Sequence, residues 1–107
     1  MARHDSTKCE AFQQALALLG RPWTAAVLNA LQAGPLRFSE VAESVSGIGS
    51  KMLSARLKDL EAKGLLVRKV EPGPPVRVGY GLTDKGQAFG EVAQAIERWG
   101  HQLFDGP

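Results

Sequence analysis

Apolar residues recur at helical spacing from Phe12 onward: Phe12, Ala15, Leu16 and Leu19 share one side, and Gly20 stands where a left-handed cap would close the turn. This predicts a first helix over residues 9–19. After Arg21-Pro22, the series Trp23, Ala26, Val27, Ala30 and Leu31 keeps the same period until Gly34-Pro35 ends it, which predicts a second helix. Leu36-Arg37-Phe38 allows only a scrap of strand. Ser39 then opens a short helix through Val45, and residues 46–49 (Ser-Gly-Ile-Gly) make a glycine-rich turn.

Ser50 can cap a longer helix over residues 50–63, with Leu53, Leu57 and Leu60 as its apolar side and Gly64 at the usual C-terminal position. Short helix, glycine turn and longer helix form a helix-turn-helix pattern. On a wheel of about 100° per residue with Lys51 at zero, Ser54 falls near 300° and Lys58 near 340°, while the three leucines lie between about 180° and 240°. The polar face is thus opposed to the apolar one, as a recognition helix requires, because one side packs on a core while the other offers donors to bases and phosphates. Ser50, Lys51, Ser54 and Lys58 are the candidate DNA contacts; the plain alternative is a solvated helix face. Arg56, near 140° on the flank, either pairs with an acid or reaches a phosphate.

Residues 65–71 are β-branched and basic, and Val76, Val78, Tyr80 and Leu82 alternate with Arg77, Gly79, Gly81 and Thr83 as in a half-buried strand. Pro72-Gly73-Pro74-Pro75 between them is a turn, so the pair is a β-hairpin. A hairpin directly after a recognition helix forms a wing, here about residues 65–83, in which Arg68, Lys69 and Arg77 would meet phosphates. Thr83 or Asp84 caps a last helix over about residues 84–104, with Phe89, Val92, Ala93, Ile96, Trp99 and Leu103 on one stripe. The fold class expected is α+β, mainly α: a winged helix-turn-helix with added N- and C-terminal helices. It forms a single domain over residues 9–107 behind a flexible segment at 1–8.

Charge refines this only slightly. The 107 residues carry a formal net charge of +2, too small to announce nucleic acid. Its distribution says more: residues 36–80 hold eight bases against five acids, an excess of three positive charges, and residues 81–107 hold two bases against four acids. The basic middle fits a DNA face and the acidic end a different surface. A single cysteine, Cys9, leaves no internal disulfide and fits a reducing cytoplasm. No apolar run follows Met1, so neither a signal peptide nor a membrane span is expected, and the location expected is cytoplasmic.

Several runs carry a resemblance. Leu19-Gly20-Arg21-Pro22-Trp23-Thr24, Arg37-Phe38-Ser39-Glu40-Val41, Gly47-Ile48 with Lys51-Met52-Leu53, Arg56-Leu57-Lys58-Asp59-Leu60-Glu61, Gly64-Leu65 and Tyr80-Gly81-Leu82-Thr83-Asp84-Lys85-Gly86 resemble the HxlR family of winged-helix regulators over nearly the whole chain. The resemblance implies a transcriptional regulator that binds double-stranded DNA as a homodimer. Dimerisation in that family uses the first and last helices, which would place Phe12, Leu16, Phe89, Val92, Ile96, Trp99 and Leu103 at the interface. From the residues alone, these stripes could instead complete one core. A symmetric dimer would set two recognition helices about 34 Å apart on a two-fold symmetric operator.

Cys9 matches the early cysteine that in some members senses oxidants or electrophiles, although Glu10 follows where proline is common. The alternative is a small residue packed beside the dimer helices. No effector small molecule is identifiable. No cofactor or metal is expected: His4, Cys9 and His101 are scattered, with no zinc-site spacing. No phosphate-binding glycine loop, nucleophile elbow or paired carboxylate points to an enzyme. The main rival is a winged helix that binds protein instead of DNA, which should have lost the bases that this chain keeps.

Overall fold

The computed structural model describes residues 6–105. In chain order they form α1 (Ser6–Leu19), α2 (Thr24–Ala30), β1 (Leu36–Arg37), α3 (Phe38–Ser44), α4 (Ser50–Ala62), β2 (Leu66–Glu71), β3 (Arg77–Leu82), α5 (Asp84–Gln87) and α6 (Phe89–Phe104). The first helix therefore starts at Ser6, ahead of residue 9, so three residues of the segment expected to be flexible are helical. The remainder of that segment, His4 included, lies outside the described residues.

The core gathers Val27, Leu28 and Leu31 from the second helical stretch, Val41 and Val45 around α3, Leu53, Leu57 and Leu60 from α4, and Leu66 from β2. Each leucine so removed from water contributes about 1.5–3 kcal/mol before entropy is counted. The helix-turn-helix is thus held by three turns of α4 leaning on α2 and α3. Along α2 and its C-cap Leu31 the buried stripe is Thr24, Val27, Leu28 and Leu31; it keeps Val27 and Leu31 of the predicted one and replaces Trp23 and Ala26 with Thr24 and Leu28. Trp23 stands before the helix with φ 72°, in the left-handed region, and Ala26 is exposed. Pro22 and the turn bond from the Thr24 amide to the Arg21 carbonyl (3.2 Å) shift the start of the helix by one residue.

Gly49, not Ser50, occupies the N-cap position of α4, with no side-chain cap; Ser50 is the first helical residue. The other end closes as expected. Gly64 has φ 77°, its amide donates to the Glu61 carbonyl (3.0 Å), and the Leu65 amide donates to the Leu60 carbonyl (3.0 Å). The chain leaves directly into β2.

The sheet has the order β1-β3-β2, all antiparallel, with Leu36 opposite Tyr80, Arg68 opposite Tyr80 and Leu66 opposite Leu82. Only the base of the hairpin is half-buried. Val67, Val70 and Val76 are exposed, so the alternation of residues 76–82 marks a buried face only near Tyr80 and Leu82. At the foot of the hairpin the Thr83 hydroxyl donates to the Gly64 carbonyl (2.6 Å) and accepts from the Gly86 amide (3.3 Å). Thr83 is therefore the cap, and it ties the end of α4 to the start of the last helical stretch. That stretch is divided into α5 and α6 at Ala88, which keeps helical dihedrals.

No residue of α6 is buried. The molecule measures 64 × 36 × 23 Å with a radius of gyration of 16.2 Å, against about 13 Å for a compact chain of this length.

Candidate nucleic-acid interface

The two faces of α4 separate as the sequence pattern predicts. Leu53, Leu57 and Leu60 are essentially inaccessible, while Ser50, Lys51, Ser54 and Lys58 are exposed. The ion pairs of lysine and arginine among the described residues are Arg21–Asp59 and Lys63–Asp59, so Lys51, Lys58, Arg68, Lys69 and Arg77 enter none of them. Cations that no carboxylate holds are available to phosphate.

Register sorts the wing residues. Leu66 is buried against the core, and with a period of two Arg68 lies on its face, opposite Tyr80. Lys69 and Arg77 lie on the other face, with Glu71 opposite Arg77. Accordingly Ser54, Leu57, Lys58 and Glu61 of α4 meet Arg68 and Tyr80 across a cleft of about 390 Å³. The structure brings Ser54, Lys58 and Arg68 together there and leaves Lys69 and Arg77 outside it. Tyr80, which the alternation places on the half-buried face of the strand but which charge alone does not single out, joins Ser54, Lys58 and Arg68 there.

Arg56 stands apart from the other candidate DNA contacts. It is only 9% exposed and its Nε donates to the Pro22 carbonyl (2.9 Å). A partner that is a backbone carbonyl in a turn far back in the chain gives no sequence signal. One turn further along α4, Asp59 accepts from Arg21 Nη1 (3.1 Å) and Lys63 Nζ (2.8 Å). The turn between α1 and α2 is thereby fastened to the recognition helix.

The bond from Lys63, then the charge of Arg21, holds the Asp59 carboxyl below its usual value of 3.8, outweighing the desolvation that opposes it. Because the folded-state value is depressed, the contribution is present at neutral pH and disappears as pH falls below about 4 through the lowered value. Asp59→Asn should cost about 1 kcal/mol or less at neutral pH, the range expected for an exposed pair, and less at about pH 3, where the contribution is already being lost. Urea denaturation at the two pH values measures this; an equal loss at both would place the effect elsewhere.

Of the candidate interface residues, Phe12, Leu16, Val92, Ile96, Trp99 and Leu103 are all 45–66% exposed. Residues 92, 96, 99 and 103 repeat at alternating steps of four and three, the spacing of a helix seam. Phe89 is the exception: it is partly buried and packs against the chain's own core. Phe104, the most exposed large apolar side chain, adjoins the stripe. Cys9 is partly buried on α1, and His101 pairs with Asp105. No cluster of three metal-ligating side chains and no helix long and apolar enough to cross a membrane occurs among the described residues.

This arrangement recurs in known proteins. A family model described as HxlR-like helix-turn-helix matches residues 18–106. The HTH-type transcriptional regulator YodB of Bacillus subtilis is 40% identical over 100 residues, covering 94% of this chain and 89% of its own. The solved reduced form of YodB superposes with a TM-score of 0.79 at 40% identity, covering 86% of this chain and 90% of that one. Quinone-bound YodB gives a TM-score of 0.76 at 37% identity, covering 86% and 96%. With the helix-turn-helix, the wing and the matched motifs all in place, the chain belongs to the HxlR-like helix-turn-helix family.

Proposed function

We propose that this protein is a cytoplasmic, homodimeric transcriptional regulator that places α4 of each protomer in the major groove of a two-fold symmetric double-stranded operator, with the wing against the flanking backbone. The observation that carries this reading is the cleft between α4 and β2–β3, where Lys58 and Arg68 stand in no ion pair beside the hydroxyls of Ser54 and Tyr80. Where a helix lies in the major groove and a wing along the next minor groove, the sugar-phosphate strand between the grooves crosses such a cleft. Lys51 and Ser50 extend the contact at the start of α4, and Lys69 and Arg77 are reserved for phosphates reached from the outer face of the wing. The retained bases and the kinship with transcriptional regulators favour DNA over a protein partner, and regulation over catalysis.

Fluorescence anisotropy on operator DNA, selected by the protein from random sequence, tests this over a salt series. Lys51→Ala and Lys58→Ala are each expected to lower the slope of log affinity against log salt by about one. Salt-insensitive association, or none with any duplex, would sink the reading.

YodB has been solved reduced and quinone-bound, and Cys9 is the only thiol in this chain. Its place on α1, one turn before Phe12, makes it the group through which an oxidant or electrophile would alter the dimer stripe. The same measurement after diamide or hypochlorite decides: Cys9→Ser should abolish a loss of affinity that the parent protein shows.

A further inference from the structure

We propose that Arg21, Arg56 and Asp59, with the kinked backbone at Trp23, are positioning residues for DNA recognition: they set the roll of α4 against the foot of α1 and touch no DNA. The inference rests on the DNA-binding reading above.

Three contacts converge from one corner of the chain. The Trp23 indole covers the helix-turn-helix turn, where a Cβ on Gly47 would come 3.5 Å from its ring. The Pro22 carbonyl accepts from Arg56 Nε, and Arg21 reaches Asp59. The corner therefore grips the turn before α4, the middle of α4 and the next turn along. On the wheel used above, Arg56 and Asp59 lie between about 80° and 140°, a third face between the groove side and the core side.

The chemistry explains why such a face is needed. The leucine stripe drives docking of α4, but apolar contact is non-directional and tolerates a small roll or slide. Hydrogen bonds from a guanidinium are directional and fix rotation about the helix axis. Two further features show the corner to be specified rather than incidental. Arg56 is a cation taken almost wholly out of water, which is costly without a placed acceptor. Trp23 holds a left-handed φ that is unfavourable for a bulky residue. Because α1 runs directly into this corner, whatever seats Phe12 and Leu16 also orients the recognition helix.

The test measures affinity for operator DNA and for a scrambled duplex in parallel, with melting temperature as the check on folding. Arg56→Met should lose about tenfold in operator affinity, and Arg21→Ala and Asp59→Asn about threefold each. For Arg56→Met and Arg21→Ala the salt slope should stay unchanged, and any fall in scrambled-duplex affinity from the lost charge should be well short of the fall on operator. Asp59→Asn is the sharpest arm. It removes a negative charge from the recognition helix, so electrostatics alone would tighten binding to every duplex, whereas loss of positioning weakens operator binding only.

Parallel loss on both duplexes with a salt slope smaller by about one would make Arg56 or Arg21 a phosphate contact and overturn the proposal. So would operator affinity that Asp59→Asn leaves unchanged or improves. If Arg56→Met does not fold, Arg21→Ala and Asp59→Asn decide the matter alone. A parent protein that fails to prefer operator over scrambled DNA refutes the DNA-binding reading itself, an outcome distinct from any change confined to the variants.

Discussion

Gly86→Ala is expected to lower the melting temperature by roughly 10–20 °C, for a loss on the order of 3 kcal/mol. A Cβ at position 86 would lie 2.1 Å from the Leu65 carbonyl oxygen, 2.9 Å from Leu82 Cδ2 and 3.1 Å from Leu82 Cβ. The leucine side chain can give a little. The Leu65 carbonyl cannot, because it accepts from the Thr83 amide (3.1 Å) while the Leu65 amide is held by Leu60 (3.0 Å). Relief therefore requires opening the junction at which α4, the foot of the wing and α5 meet. Gln32 Nε2 also donates to the Gly86 carbonyl (3.2 Å), so the turn that follows α2 would be disturbed as well. Circular dichroism melts provide the measurement, and a shift of under about 4 °C, equivalent to less than 1 kcal/mol, would show that the junction is softer than its geometry states.

Ile96→Glu or Trp99→Glu should produce a folded monomer with operator affinity reduced about a hundredfold or more, since linking two half-site contacts multiplies affinity on that scale. Both residues are about half exposed or more on a helix of which no residue is fully buried, so the carboxylate meets water in the monomer and a partner's apolar surface in the proposed dimer. Light scattering and anisotropy read the two effects. A parent protein already monomeric at micromolar concentration would remove the basis of this prediction, as would undiminished operator affinity in a monomeric variant.

Much of the fold was legible because its signals are local. Periodicity announced α4 and its leucines, and Gly64 announced the left-handed residue that ends it, each within a few positions of the element concerned. What escaped depended on partners distant in sequence. Trp23 continues an apolar stripe on paper and is helical by pattern, yet the Arg21-Pro22 turn and the indole's seat on Gly47 decide its conformation. Arg56 has the composition of a DNA contact and the position of a brace, and only its contact with Pro22 distinguishes the two. Arg21 and Asp59 are ordinary surface charges until the fold closes a separation of 38 positions between them. The division of Arg68 from Lys69 and Arg77 lies between these cases: it follows from alternation once one buried anchor, Leu66, is known.

β2 is an outer strand of its sheet, and Val67 and Val70 on it are exposed, as is Val76 just before β3. A bare edge with valines on both faces is a template for pairing with another chain, and charged side chains on such an edge discourage it. Arg68, Lys69 and Glu71 occupy β2 itself. The bases proposed to meet phosphate thus also discourage separate copies from adding strand to strand. Neutralising both bases would remove two functions together, and a loss of DNA binding in such a double variant has to be measured on material shown to be free of aggregate.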